Sequence, residues 1–277
     1  MKTVLVTGAG GLLGSHLVPM LEAEGHDVIP TGRDLIDLSR PLDPSKLPRK
    51  IDAVVYLAQS SRFREFPETA DDIFQVNTGQ ALRLLDFARR AGASNFVYAS
   101  TGGVYAASPD PLTETSPLAE PMGFYPASKR AAEVLAEAFA PHLHVALLRY
   151  FFIYGAGQKR EMLIPRLVDS VREGRPVALQ GEQGLRINPV HAGDAARATA
   201  AAVRLTQSAT INVAGPETLS IRAMCETIGT RVGREPVFTH DFDATPPALI
   251  ADTRRMAELL VAPTQRFEDA IGELIQG

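Results

Sequence analysis

Residues 3–14 read Thr3-Val4-Leu5-Val6-Thr7-Gly8-Ala9-Gly10-Gly11-Leu12-Leu13-Gly14. This stretch decides the fold. Thr3–Thr7 is a short apolar run without in/out alternation, as expected of a strand covered on both faces. Glycines follow at once, and apolar residues at helical spacing then run over 12–24. In that context Gly8 permits a tight turn, Gly11 lets backbone approach a pyrophosphate, and Gly14 lets the helix pack on the sheet. The helix N-terminus, with Leu12 and Leu13 as its first residues, faces the phosphates. Glycine-rich turns are common, but this one sits at a strand-to-helix junction that opens a βαβ unit, and dinucleotide binding is the expectation.

Outward from that turn, Val, Ile and Leu-rich runs at 27–31, 52–57, 95–100 and 144–150 read as further buried strands. Segments 71–91 and 126–140 carry apolar positions three and four apart and read as helices. Strand and helix alternating in this way mean a parallel sheet with right-handed crossovers, a doubly wound α/β architecture. Past residue 155 the rhythm changes. Helices are expected at 162–173, 193–205, 220–232, 253–260 and 267–275, and short strands at 177–179, 186–190 and 210–213. The organisation this implies is a dinucleotide-binding core over 1–155, rejoined by 186–215, with a smaller lobe from 156–185 and 216–277. The Pro-rich stretch 108–121 reads as a surface loop. Pro19 falls inside the first helix, where a kink is expected.

The chain has 277 residues, 45% of them hydrophobic and 22% charged, which excludes disorder and disulfide-built miniproteins. Twenty-eight Lys and Arg against 32 Asp and Glu give a net charge of −4, arguing against nucleic acid or an anionic membrane as the partner. Cys225 is the one cysteine, so no intramolecular disulfide is available. No signal segment or membrane-length apolar run is visible, and a cytoplasmic location is expected. No cluster of His and Cys and no nucleophile elbow suggests a metalloenzyme or serine hydrolase, so no metal is expected. His191 and Asp194 read as packing plus a helix cap, His16 as a surface group, and Arg160 and Arg166 as solvated cations.

The residues after the second strand, Thr31-Gly32-Arg33-Asp34, bear on the cofactor. NAD sites place a carboxylate here for the ribose hydroxyl, and this chain has Gly32 at that position. Without the acid a 2′-phosphate meets no repulsion, and Arg33 offers it a charge-assisted donor. NADP is therefore preferred, with NAD possible if Asp34, one step late, takes the ribose.

Tyr125-Pro126-Ala127-Ser128-Lys129 carries the chemistry. Residues four apart share a helix face, so Lys129 is expected to bring its ammonium near the Tyr125 hydroxyl. A phenol near pKa 10 is a poor base at neutral pH. That cation, together with an oxidised nicotinamide ring, would lower its pKa. Tyr125 could then exchange a proton with a substrate oxygen while hydride moves at carbon. Pro126 suits a first helical turn, where its missing donor costs nothing.

Together with Leu57-Ala58-Gln59, Asn77, Thr101–Tyr105, Tyr150–Gly155 and Arg186–Asp194, these motifs resemble those of the extended short-chain dehydrogenase/reductase superfamily, in its NAD(P)-dependent epimerase/dehydratase branch. The resemblance covers nearly the whole chain in order. It implies that Thr101 is the Ser/Thr that bonds the reacting oxygen beside Tyr125, with Ser100, one position early, as understudy. Leu57, Ala58 and Gln59 would line the cofactor channel, and Asp37 and Leu38 would flank the adenine. Asn77 would serve a structural or proton-relay role near the cofactor, and Tyr150 and Phe152 would complete the dinucleotide site. Arg186 and Gly102 would face the substrate.

Departures from the family pattern narrow the reaction. Where 4,6-dehydratases carry an Asp-Glu pair this chain has Gly102-Gly103, which leaves epimerisation or keto reduction rather than dehydration. Phe152 replaces a common Asn, 242–247 contain no arginine, and the chain is short for a sugar epimerase, so a smaller carbonyl substrate is an alternative to a nucleotide-activated sugar. A second alternative is a dinucleotide-binding redox sensor that does no chemistry, although relatives of that kind typically lack the Tyr/Lys pair. The helices at 71–91 and 126–140 resemble those that build a homodimer in the family.

Overall fold

The computed structural model describes residues 1–32, 36–38, 40 and 43–276. In chain order the core elements are β1 (Thr3–Thr7), α1 (Leu12–Ala23), β2 (Asp27–Thr31), β3 (Ala53–Tyr56), α2 (Ala70–Phe74), α3 (Gln80–Arg90), β4 (Asn95–Thr101), α4 (Phe124–Glu137) and β5 (His144–Tyr150). Then follow α5 (Leu163–Glu173), β6 (Val177–Gln180), β7 (Arg186–Ile187), α6 (Ala192–Ala202), β8 (Ala209–Val213), β9 (Leu219–Ser220) and α7 (Ile221–Val232). The chain closes with β10 (Phe238–Asp241), β11 (Ala248–Leu249), α8 (Arg254–Leu259), α9 (Phe267–Ala270) and α10 (Gly272–Gln276).

Six strands form one parallel sheet in the order β2-β1-β3-β4-β5-β8. It is buried on both faces, which is why its strands lack alternation. Val4 and Val6 face a layer containing Leu17 and Leu21 of α1 and Ala195 and Ala198 of α6. Leu5, Val54 and Phe96 face the opposite layer, with Leu84 and Leu85 of α3 and Ala132 and Ala136 of α4. The chain moves from β1 to β2 on one side and returns to place β3 on the other. The crevice between the C-terminal ends of β1 and β3 is therefore the topological switch point, where α/β sheets bind ligands.

The smaller lobe has its own apolar core, with Leu167, Val168 and Val171 of α5 against Met224, Cys225 and Ile228 of α7 and Phe267 and Ile271. Two minor sheets, β10-β6 and β11-β7-β9, flank it. Burial pushes the Cys225 thiol up to about 12, so it packs as a small hydrophobe.

Several expected elements differ. Segment 71–91 is helical as expected, but a π-helical turn at Gln75–Gly79 widens it between α2 and α3. Its wider turn leaves carbonyls that buried phenols use, Tyr56 Oη donating to Val76 O at 2.5 Å and Tyr98 Oη to Asn77 O at 2.7 Å. The loop 108–121 lies at the surface as expected, with Leu112 alone buried, and is stitched to the body. Leu112 is buried and bridges Ala251, Leu118 bridges Tyr105, and the Asn212 N–H donates to Glu114 Oε1 at 2.8 Å. Helix α1 runs on through Pro19. Strand β7 stops at Ile187, and the helix expected at 267–275 is two short ones. Strands β10 and β11 were not foreseen because each pairs through four or two residues with a partner distant in sequence. Among the described residues no helix is long and apolar enough to cross a membrane.

Candidate active site

The glycine turn closes directly over the switch point. Gly8 has φ +70°, and a Cβ there would lie 3.0 Å from Ala58 N and 3.1 Å from Leu57 C. The Leu57 N–H donates to Thr7 O at 3.2 Å and the Ala9 N–H to Thr31 O at 3.3 Å, tying the turn to its neighbours. Gly14 is needed for a different contact than expected. A Cβ there would meet Gly8 O at 2.4 Å and Ala9 O at 2.5 Å, so its close approach is to the turn, not to the sheet. No side chain caps α1 at Gly11, which leaves helix-end donors for an anion. A cradle that side chains would fill, ahead of an uncapped helix, fits a pyrophosphate. Leu57 and Ala58 form its floor. Arg33 and Asp34 lie outside the described residues. Asp37 is half-buried and pairs with Arg40 at 3.4 Å, and Leu38 is buried in the α3/α4 layer of the core.

Tyr125 is the second residue of α4, two after Gly123, and Pro126 occupies the first turn, where no helical donor is lost. Its phenol donates to Gln59 Oε1 at 3.1 Å, its ring packs on Phe63 at 4.9 Å between centroids, and the Thr101 side chain lies beside its hydroxyl. Thr101, at the end of β4, accepts from the Gly103 N–H at 3.1 Å.

The Lys129 ammonium is anchored at the end of β4. It donates to Ala99 O at 2.9 Å and lies 5.1 Å from the centre of the Tyr98 ring, rather than bonding the Tyr125 hydroxyl. Burial, opposed by Glu133, pulls it down to about 7. Burial pushes the Tyr125 phenol up to about 12, with the Thr101 side chain pulling the other way.

Other expected site residues are occupied elsewhere. Asn77 is fully buried, accepting from the Ser60 N–H and donating to Ser128 Oγ, both at 3.0 Å, a brace in keeping with the structural role the resemblance implies. Ser100 donates to Glu133, which removes it as understudy to Thr101. The Tyr150 hydroxyl pairs with Thr199 Oγ1 at 2.7 Å and its ring belongs to the α1/α6 layer. Phe152, at φ 47°, packs between the lobe core and the cluster around Tyr105 and Phe151. Gly102 is buried, and a Cβ on it would strike the Phe151 ring at 2.6 Å, so packing accounts for it instead of substrate contact. Arg186 is exposed on β7, and its guanidinium has no partner among the described residues.

His191 Nδ1 accepts from the Gly193 N–H at 3.2 Å, and Asp194 accepts from the Thr264 N–H at 2.6 Å and the Gln265 N–H at 2.8 Å, the packing and capping roles expected. His16 is half-buried against the His191 ring and not a surface group. Arg160 is ion-paired to Asp169.

The sequence reading missed a buried network. Arg149 donates through Nε to Glu133 Oε1 at 2.9 Å and through Nη2 to Glu133 Oε2 at 2.7 Å, and through Nη1 to Tyr105 Oη at 2.8 Å. The signal was present: an arginine inside the apolar run of β5 needs a buried carboxylate, and Glu133 follows Lys129 by one helical turn.

Residues 4–214 match the model of the NAD dependent epimerase/dehydratase family. The chain is 28% identical over 189 residues to a UDP-glucuronate 4-epimerase of Thermodesulfobacterium geofontis, a match covering 67% of this chain and 58% of that protein. The chain thus spans less than two thirds of that relative's length. It is 28% identical over 296 residues to a dTDP-4-dehydro-6-deoxy-D-allose reductase of a Streptomyces species, covering 94% of this chain and 90% of the other. Among solved structures it resembles MoeE5 in complex with UDP-glucose and NAD, with a TM-score of 0.81 and 27% identity over 99% of this chain and 97% of that one.

Proposed function

The chain belongs to the NAD dependent epimerase/dehydratase family, and from that membership we propose that it is an NAD(P)-dependent enzyme acting on a hydroxyl- or keto-bearing carbon of a nucleotide-activated sugar. One observation carries this reading: the Tyr125 hydroxyl and the Thr101 side chain meet at the C-terminal edge of the sheet that also carries the glycine cradle. Bound in that cradle, the dinucleotide would supply and take back hydride. Tyr125 moves the proton at the reacting oxygen, and Thr101 positions that oxygen. Lys129 holds positive charge beneath the site and supports the phenolate when the proton leaves. Arg186, exposed and unpaired among the described residues, suits a substrate phosphate as a fork donor. Gly102-Gly103 offers no side chain for a second acid and base, which favours epimerisation or keto reduction over dehydration.

Reduction and epimerisation share the proton transfer at Tyr125 and differ in whether the hydride is returned to the sugar. With stoichiometric reduced cofactor and a panel of nucleotide-activated keto sugars, the reductase reading expects one equivalent of nicotinamide absorbance lost per product. An epimerase would interconvert its hydroxy sugars with no net loss. Saturable cofactor binding with neither result across the panel would favour a redox sensor.

The relatives' complex contains NAD. The preference for NADP rests on the residue types at Gly32 and Arg33. Titrating both cofactors is expected to give a lower Kd for NADP, and Arg33→Ala is expected to remove most of that difference. Tighter NAD binding that survives Arg33→Ala would end the preference.

A further inference from the structure

Gln59 is joined to Tyr125 by a closed ring of hydrogen bonds. The Tyr125 hydroxyl donates to Gln59 Oε1 at 3.1 Å. The next residue, Ser60, is fixed by its N–H donating to Asn77 Oδ1 at 3.0 Å. Asn77 Nδ2 donates to Ser128 Oγ at 3.0 Å, and Ser128 Oγ donates to the Tyr125 carbonyl at 2.7 Å, which returns the chain of contacts to its start. Three further contacts hold the same loop. The Phe63 ring packs on the Tyr125 ring. The Arg62 N–H donates to Ser60 Oγ at 3.1 Å. Arg64 reaches across to the smaller lobe, donating to Glu161 O at 3.1 Å and to Met162 Sδ at 3.4 Å. The position of Gln59 is thus set by both the sheet edge and the lobe.

From this geometry we propose that Gln59 is a positioning residue that holds the Tyr125 hydroxyl in its protonated, donating form until a reacting oxygen replaces it. The inference rests on the reading of Tyr125 as the proton-transfer group. A phenol has one proton, and an amide oxygen 3.1 Å away stabilises the neutral form over the phenolate. While Gln59 accepts that proton the phenol is a directed acid, suited to meeting a carbonyl.

The groups facing the phenol from each packed element are few. Lys129, on its own helix, is committed to Ala99 O. Tyr98 and Thr101 lie on β4, and burial raises the Tyr98 phenol well above its usual range. From the loop, Arg64 sits 5.2 Å from the centre of the Phe63 ring. Glu133 acts through Lys129. Of these only Thr101 bonds the phenol, and its side chain pulls the phenol's pKa down, as a donor to the phenol oxygen does and opposite to an acceptor such as Gln59.

Tyrosinate absorbance tests the proposal without substrate or cofactor, so its outcome is independent of whether the proposed reaction is right. The chain has no Trp and six Tyr, which leaves the phenolate band uncluttered. Alkaline pH jumps read within milliseconds, before the fold opens, resolve the tyrosine midpoints, and the one that is lost in Tyr125→Phe belongs to Tyr125. In Gln59→Leu that midpoint is expected to fall by roughly half a pH unit, the size of one modest hydrogen bond. In Gln59→Glu, which keeps the length and puts a charged acceptor at the phenol, it is expected to rise. A midpoint unchanged in both variants, or raised in Gln59→Leu, overturns the assignment.

Discussion

Tyr125→Phe is expected to reduce turnover by roughly 10²–10⁴-fold while leaving dinucleotide affinity within a factor of a few. The substitution removes one atom. Phenylalanine keeps the ring that packs on Phe63, and it leaves Pro126 and the first turn of α4 untouched. What is lost is the hydroxyl, with its bond to Gln59 and its place beside Thr101. The cradle at Gly8–Gly14 is built from backbone at the other side of the switch point and does not depend on that oxygen. A loss confined to kcat, with cofactor titrations superimposing on those of the parent protein, separates proton transfer from binding. Thr101→Ala is expected to act in the same direction by a smaller factor, since it removes a positioning hydroxyl and not the mobile proton. Undiminished turnover of a true substrate by Tyr125→Phe would reject the proposed chemistry, whatever cofactor is bound.

The parts of this molecule that were readable in advance are those fixed by local pattern. The strand, turn and helix over residues 3–23 follow from a β-branched run, a glycine cluster and a 3.6-residue apolar repeat, all within two dozen positions. The same holds for β2 and β5, whose bounds matched the expected ones. What was not legible depended on which distant partner a polar side chain would choose. The spacing of Tyr125 and Lys129 placed them on one face, but the ammonium had an alternative in Ala99 O, a carbonyl at the end of β4 that helix spacing cannot reveal. The π-helical turn at Gln75–Gly79 has no local signature either. It is matched to two phenols, Tyr56 and Tyr98, that arrive from strands at its back. The resemblance puts Gln59 with Leu57 and Ala58 along the cofactor channel, and the bond its amide accepts from Tyr125 on α4 is a contact that sequence spacing does not reveal.

The ion pair that the sequence reading missed sets the largest expected stability effect. Glu133 and Arg149 bury their side chains to 0% and 5% exposure, and the carboxylate also accepts from Ser100 Oγ and, at 3.0 Å, from Arg130 Nη1. Glu133→Ala leaves the Arg149 guanidinium uncompensated inside the sheet–helix layer, at a cost of roughly 3–5 kcal/mol. For a chain of this size that corresponds to a fall in Tm on the order of 10 °C. The effect has a pH signature whose sign follows from the charges. Burial pushes the Glu133 carboxyl up, but the Arg149 fork, Ser100 and Arg130 outweigh it and hold the group below the usual carboxylate value. A carboxyl lowered on folding contributes stability that is fully present above its unfolded pKa and disappears as pH falls through the folded one. The gap in Tm between the parent protein and Glu133→Ala is therefore expected to be widest near pH 7 and to narrow under acid conditions. Replacing both partners, as Glu133→Leu with Arg149→Met, removes the stranded charge and is expected to recover much of the loss. The site gains a further dependence, because the Glu133 charge opposes the burial that pulls Lys129 down to about 7. In the double variant, recovered stability should therefore come with a Lys129 that loses its proton at lower pH, and so with turnover that declines at lower pH than in the parent. A double variant as unstable as Glu133→Ala, or a gap that does not change with pH, would show that the network stabilises the fold through packing and not through its charges.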